Sequence, residues 1–181
     1  MQCIEIPLSG CYEMTPSLYK DARGYFFEAF NKKTFKANTG LDFEVVQENQ
    51  SKSLKGTIRA LHFQKGAAAQ AKLVRVLAGE ILDVVVDIRP ASATYGHYHS
   101  LLISADNLKQ LFIPKGFAHG FSVLSESATI VYACDAPYNK EAEGGIYYAD
   151  PTLNINWQLG QVKPILSEKD MLLPFLRDAQ L

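Results

Sequence analysis

The chain has 181 residues, 48% of them hydrophobic, and no stretch of linker composition, so it can build one sizeable core and reads as a single domain over residues 1–181. Its 18 Lys and Arg stand against 19 Asp and Glu, giving a formal charge of -1 with the two signs interspersed. That balance excludes the broad basic field needed by duplex nucleic acid or an anionic membrane, and an anionic ligand must be met by a few local cations.

The opening Met1-Gln2-Cys3-Ile4-Glu5-Ile6-Pro7 carries neither a basic leader nor a sustained apolar run, and no later stretch has membrane-spanning length. A soluble cytoplasmic protein is expected. Cys3, Cys11 and Cys134 are odd in number, widely spaced and without a Cys-x-x-Cys pair, which predicts reduced thiols with no catalytic part.

A helix is predicted over Lys32 to Asn38. From Lys72 to Cys134 the chain turns to short β-branched or aromatic runs cut by turn residues, the pattern of an antiparallel sandwich or barrel. Leu73 to Leu77 comes first, then the turn Ala78-Gly79-Glu80 and the strand Ile81 to Ile88. There Leu82, Val84, Val86 and Ile88 share one face and Asp83 and Asp87 fall on the other. His99 to Ser104, Gln110 to Ile113, His119 to Leu124 and Ala128 to Cys134 follow, an order suggesting a jelly roll. In the tail, Ser167-Glu168-Lys169-Asp170 has the form of a helix cap ahead of Met171, Leu172 and Phe175.

Four histidines carry most of the chemical question. His97 and His99 sit two apart and present either a two-imidazole metal face or, beside Tyr95 and Tyr98, a solvated one. His62 is open to three uses: a core histidine, a proton-transfer base, or a ligand in a metal set with Gln64 and His119, the latter ending the cupin-like run Pro114-Lys115-Gly116-Phe117-Ala118-His119. Lys72, at the start of its strand, either faces an anionic intermediate or points to water. Tyr132 and Tyr138 are packing residues or chemical ones, and Asp170 has a bland role as part of a helix start.

Several segments, taken in order, resemble the dTDP-4-dehydrorhamnose 3,5-epimerase family from about Ile4 to Phe175. They are Asp21-Ala22-Arg23-Gly24-Tyr25-Phe26-Phe27-Glu28, Val46-Gln47-Glu48-Asn49, Arg59-Ala60-Leu61-His62-Phe63-Gln64, Gln70-Ala71-Lys72-Leu73-Val74-Arg75, Asp83 to Arg89, Ile113 to Phe121 and Leu166 to Asp170. The resemblance implies an all-β, cupin-type jelly-roll fold with a few short helices, and a homodimer that exchanges N-terminal strands and completes each site. It implies His62 as proton acceptor oriented by Asp170, Tyr132 as proton donor on the opposite face of the sugar ring, and Lys72 on the oxygen of carbon 4. Arg23, Glu28, Gln47, Glu48, Asn49, Arg59, His119, Tyr138, Glu143 and Lys169 match ligand-binding positions.

The implied reaction converts dTDP-4-dehydro-6-deoxy-D-glucose to dTDP-4-dehydro-L-rhamnose through an enolate, with no metal and no cofactor. Relatives that epimerise carbon 3 alone, or move the keto group, are the neighbouring alternatives. A metal-dependent cupin oxygenase and a non-catalytic nucleotide-sugar binding module are the rivals of other classes. In a regular strand Arg59 faces away from His62, so the two meet one ligand only across a bulge or bend. Gln50, Ala60, Ala71, Ala133 and Tyr148-Ala149-Asp150 depart from the commoner family residues, and the alanines at 60 and 71 are expected to place methyl groups near the reacting ring.

Overall fold

The computed structural model describes residues 1–181. Its strands are β1 (Gln2–Glu5), β2 (Tyr12–Thr15), β3 (Tyr19–Asp21), β4 (Gly24–Phe26), β5 (Gln47–Leu54), β6 (Ile58–Gln64), β7 (Lys72–Ala78), β8 (Glu80–Asp87), β9 (Tyr98–Ser104), β10 (Gln110–Ile113), β11 (Phe117–Val123), β12 (Ser127–Cys134) and β13 (Glu143–Gly145). The helices are α1 (Lys32–Thr39) and the single turn α2 (Glu168–Met171). One sheet runs β1-β2-β10-β7-β12-β5, the other β13-β6-β11-β8-β9, and β3 with β4 makes a separate hairpin. The result is the expected jelly-roll sandwich, with every named strand pair antiparallel.

The six predicted strands between residues 73 and 134 are all present, with ends shifted by a residue or two. The turn at Gly79 does more than reverse the chain, because β7 lies in one sheet and β8 in the other. Gly79 has φ +79, and a Cβ there would stand 2.1 Å from the Ser127 carbonyl oxygen, so the crossing needs glycine.

Apolar packing comes in three layers. Val74, Val76, Ile81, Val85, Leu111, Phe121 and Ile130 fill the space between the sheets. On the outer face of the five-stranded sheet, Leu82, Val84, Val86 and Ile88 pack with Ile146, Leu153, Trp157 and Leu176 of the C-terminal segment. The predicted apolar face of that strand is thus an outer face covered by the tail, and the Asp83 and Asp87 face is the interior one. The third layer covers the six-stranded sheet, where Phe35 of α1 lies 4.7 Å from Phe112, ring to ring, with Phe43, Leu73 and Met14 around them. Each such buried side chain contributes about 1.5–3 kcal/mol of transfer free energy.

Local signals set the helices. Asn31 caps α1 by accepting from the Thr34 N–H, and Gly40 ends it in the left-handed region at φ 73. Ser167 caps α2 by accepting from the Asp170 N–H at 3.1 Å, as the tail sequence suggests. The helix nevertheless stops at Met171 and does not carry Phe175, because Pro174 disfavours helical geometry at Leu173. Leu172 is left 84% exposed.

Candidate active site

The interior face of each central strand is apolar toward one end of the sandwich and polar toward the other. On β7 the inward row is Lys72, Val74, Val76; on β12 it is Cys134, Tyr132, Ile130, Ala128; on β11 it is His119, Phe121, Val123. The polar ends enclose a cavity of about 320 Å³ lined by Gln47, Asn49, Ser51, Arg59, His62, Gln64, Gln70, Lys72, His119, Tyr132, Tyr138 and Glu143, with Phe63 and Phe121. A neighbouring depression of about 490 Å³ shares Arg59, His62 and Glu143 and adds Lys52, Lys169 and Asp170.

A bulge in β6 settles the geometry of Arg59 and His62. Across the β11 ladder His119 pairs with His62 and Phe121 with Arg59, so two residues of β6, Ala60 and Leu61, stand opposite the single Gly120 of β11. The side-chain alternation therefore flips between Ala60 and Leu61, both fully buried on the outer side, and Arg59 and His62 both reach the cavity. Opposite the bulge sits Gly120, where a Cβ would come within 2.6 Å of the Ala60 Cβ and 2.7 Å of the Arg59 carbonyl oxygen. Arg59 is further fixed by donating from Nε to the buried Ser53 hydroxyl at 3.0 Å.

His62 Nε2 lies 2.7 Å from Asp170 Oδ1. A carboxylate accepts only, so the imidazole donates from Nε2 and keeps Nδ1 as its basic nitrogen. The tail is held for this contact by a parallel bridge between Thr57 and Ile165 and by the Ile58 N–H donating to the Ile165 carbonyl at 3.0 Å. Asp170 is 4% exposed, close to complete burial for a charged side chain. A second pair stands beside it: His119 Nε2 lies 2.6 Å from Asp83 Oδ1. Both histidines of the alternative metal set thus have Nε2 committed to a carboxylate.

Lys72 forms no ion pair or hydrogen bond. Burial pushes its ammonium below the ordinary lysine range, against opposing influence from Cys134, Asp83 and Glu143. Such a cation, poorly solvated and unpaired, interacts strongly with any negative charge that develops in the cavity. Tyr132 comes from the facing sheet relative to His62, and burial foremost, with Cys134, pushes its phenol up, so it holds its proton at neutral pH.

At the rim, the Tyr138 hydroxyl donates to Glu143 Oε2 at 2.7 Å and the Tyr138 N–H to Gln47 Oε1 at 2.8 Å. Glu143 also pairs with Lys169. Burial raises the Glu143 carboxyl, but these hydrogen bonds outweigh it and hold it below the usual range. Arg59, Lys169 and Lys52 are the local cations that a nearly neutral chain needs for an anionic ligand.

Three expected site residues lie elsewhere. On β5 the alternation sends Gln47, Asn49 and Ser51 inward and leaves Glu48 exposed on the other side. Arg23 is exposed and paired with Asp21, and Glu28 accepts from Asn31 at 3.0 Å, both away from the cavity. The sequence reading passed over Asp83, Ser51, Ser53 and Gln70. Asp83 had a usable signal, since it lies between Ile81 and Val85 on a strand buried on both faces. His97 sits exposed before β9 and His99 half-buried on it, neither in the cavity.

A family model described as dTDP-4-dehydrorhamnose 3,5-epimerase matches residues 5–178. The dTDP-4-dehydrorhamnose 3,5-epimerase of Salmonella typhimurium is 45% identical over 168 residues, covering 93% of this chain and 91% of its own length. The chain belongs to the dTDP-4-dehydrorhamnose 3,5-epimerase family. Among solved structures, the dTDP-4-dehydrorhamnose 3,5-epimerase of Elizabethkingia anophelis superposes with a TM-score of 0.95 at 47% identity, over 98% of this chain and 97% of that one. The dTDP-6-deoxy-D-glucose-3,5-epimerase of Legionella pneumophila, in complex with dTDP-4-keto-L-rhamnose, gives 0.93 at 42% identity, over 98% and 93%.

Two of the departures from the common pattern of this epimerase family prove remote from the ring-binding space. Ala60 packs in the outer layer under the C-terminal segment, and Ala71 lies with Met14, Phe35 and Phe43 on the opposite outer face. Neither methyl lines the cavity, contrary to the sequence expectation, because the bulge and the strand phase turn both outward.

Proposed function

We propose that the protein is a 3,5-epimerase that converts dTDP-4-dehydro-6-deoxy-D-glucose to dTDP-4-dehydro-L-rhamnose. The observation that carries this reading is that His62 and Tyr132 project from facing sheets into one cavity also lined by Lys72. His62 removes the proton from the carbon beside the ketone, and Asp170 holds its tautomer and stabilises the imidazolium that forms. The electrons move into the carbonyl, and Lys72 meets the charge on the enolate oxygen. Tyr132 returns a proton from the other side of the ring, so configuration inverts.

Both aids are needed. An aligned general base contributes about 10²–10⁴-fold and one enolate donor about 2.7–4 kcal/mol, and neither alone overcomes the weak acidity of such a carbon. On this reading no metal is required, because Lys72 supplies the positive charge. Arg59 and Lys169 take the diphosphate, with Gln47, Asn49, Tyr138, Glu143 and His119 around the remainder of the ligand.

The working unit on this proposal is a homodimer in the cytoplasm, and a second copy brings Arg23 and Glu28 to the site. Support comes from the separate β3–β4 hairpin, which leaves Tyr19, Tyr25 and Phe26 exposed at 66%, 57% and 68%, and from the three free cysteines. The roles are tested by following substrate protons in deuterated water by NMR. His62→Ala should abolish exchange, and Tyr132→Phe should keep exchange while losing inversion. Wild-type exchange in His62→Ala would remove His62 as the base.

A further inference from the structure

Asp83 is fully buried, and only one of its oxygens is used. Oδ1 meets His119, while Oδ2 has no hydrogen-bond partner. A buried carboxylate oxygen left without a donor is costly, and a native fold keeps one only where it does something else. Lys72, the matching group, projects into the same interior from the opposite sheet, and its ammonium has no acceptor.

Around Lys72 stand Arg59 and His62 of β6, Asp83 of β8, His119 of β11, Tyr132 and Cys134 of β12, and Glu143 of β13. The anions among them are few. Burial pushes the Cys134 thiol up, so it is neutral near pH 7. The Glu143 carboxylate is already compensated by Lys169 and by the Tyr138 hydroxyl. Asp83 is the remaining anion with an uncompensated oxygen.

Resting on the epimerase reading above, we propose that Asp83 is a positioning residue for the reaction: one oxygen orients His119 and the free one keeps Lys72 an ammonium, ready for the enolate. Without it, desolvation of Lys72 is opposed only by Glu143, whose charge Lys169 and Tyr138 already compensate, and the amine loses its proton at lower pH than in the wild type. A neutral amine stabilises an enolate poorly. Asp83 thus acts through Lys72 without touching substrate.

The test is the pH profile of kcat/KM for conversion of the 4-dehydro sugar nucleotide by the whole protein, with Asp83→Asn beside wild type. The alkaline limb should move to lower pH by about one unit, the low end of what loss of an opposite charge produces in a desolvated site. His119→Gln leaves Asp83 anionic, so it should lower the rate without moving that limb to lower pH. A limb that stays in place in Asp83→Asn would overturn the proposal, confining Asp83 to the support of His119.

NMR titration of ε-carbon-13 lysine, with Lys72 assigned by comparison with Lys72→Arg, gives a readout that needs no turnover. Lys72 should be charged at pH 7 in the wild type and should titrate at lower pH in Asp83→Asn. If Asp83→Asn does not fold, the wild type alone decides, because a neutral Lys72 at pH 7 contradicts the proposal and a charged one upholds it. Failure of wild-type turnover would refute the epimerase reading and leave this titration to judge Asp83.

Discussion

Gly120→Ala should be among the most damaging single-methyl additions in the molecule. The new Cβ would lie 2.6 Å from the Ala60 Cβ, 2.7 Å from the Arg59 carbonyl oxygen and 2.8 Å from the Ala60 Cα. Carbon atoms rest at about 3.5–4.0 Å, so β6 and β11 must part by roughly 1 Å where the ladder is tightest. Two of the three atoms are backbone and cannot swing aside, which places the cost at the upper end of overpacking, about 3 kcal/mol. For a chain of this length that lowers Tm by about 6–12 °C. Activity should fall as well, because the bulge is what turns Arg59 and His62 to one side. Adding Ala60→Gly removes the first contact and leaves the other two, so the double variant should recover only part of the loss. Thermal melting and the proton-exchange rate give the measurement. A Gly120→Ala protein that melts within about 1–2 °C of wild type at full exchange rate would refute the role of the bulge.

Lys72→Met removes the ammonium that meets the enolate, so it should cost about 10²–10³-fold in kcat; a variant that turns over near the wild-type rate would remove Lys72 from that role. Asp87 carries a second pH signature. Burial raises its carboxyl, yet hydrogen bonds from Arg89, Ser92 and Thr94 overcome that and hold it far below the usual range. Its folded value lies under an unfolded value of about 3.9, so its contribution is complete above about pH 5 and is lost as pH falls from about 4 toward the folded value. Stability measured against pH should therefore decline over that range in wild type and decline less in Asp87→Asn; equal declines would refute the assignment.

The strands from β7 to β12 were legible because they are rich in β-branched and aromatic residues and are cut by turn residues such as Gly79, Asp106-Asn107, Pro114 with Gly116, and Ser125 with Ser127. β5, Gln-Glu-Asn-Gln-Ser-Lys-Ser-Leu, was not, since an edge strand whose inner face lines a polar cavity has no apolar alternation to read. The β6 bulge was anticipated only as a requirement of placing Arg59 beside His62, and its cause, Gly120 facing Ala60, lies 60 residues away in sequence. Lys72 was ambiguous between interior and solvent, and its sharing of an inward row with Val74 and Val76 decides the matter. Gln47, Glu48 and Asn49 form one motif in sequence, but a strand alternates its faces, so Glu48 points away from the cavity that the other two line. Arg23 lies in the turn of the β3–β4 hairpin and Glu28 just beyond it, and because that hairpin pairs with no strand of either sheet, strand alternation in the sandwich does not set where they point.

The most direct test of the whole account is to incubate the wild-type protein with dTDP-4-dehydro-6-deoxy-D-glucose in deuterated water and follow carbons 3 and 5 by NMR. Deuterium should enter at both carbons, with inverted configuration in the product. Incorporation at carbon 3 alone would reduce the activity to that of a mono-epimerase, and absence of exchange at either carbon would contradict proton abstraction by His62 altogether.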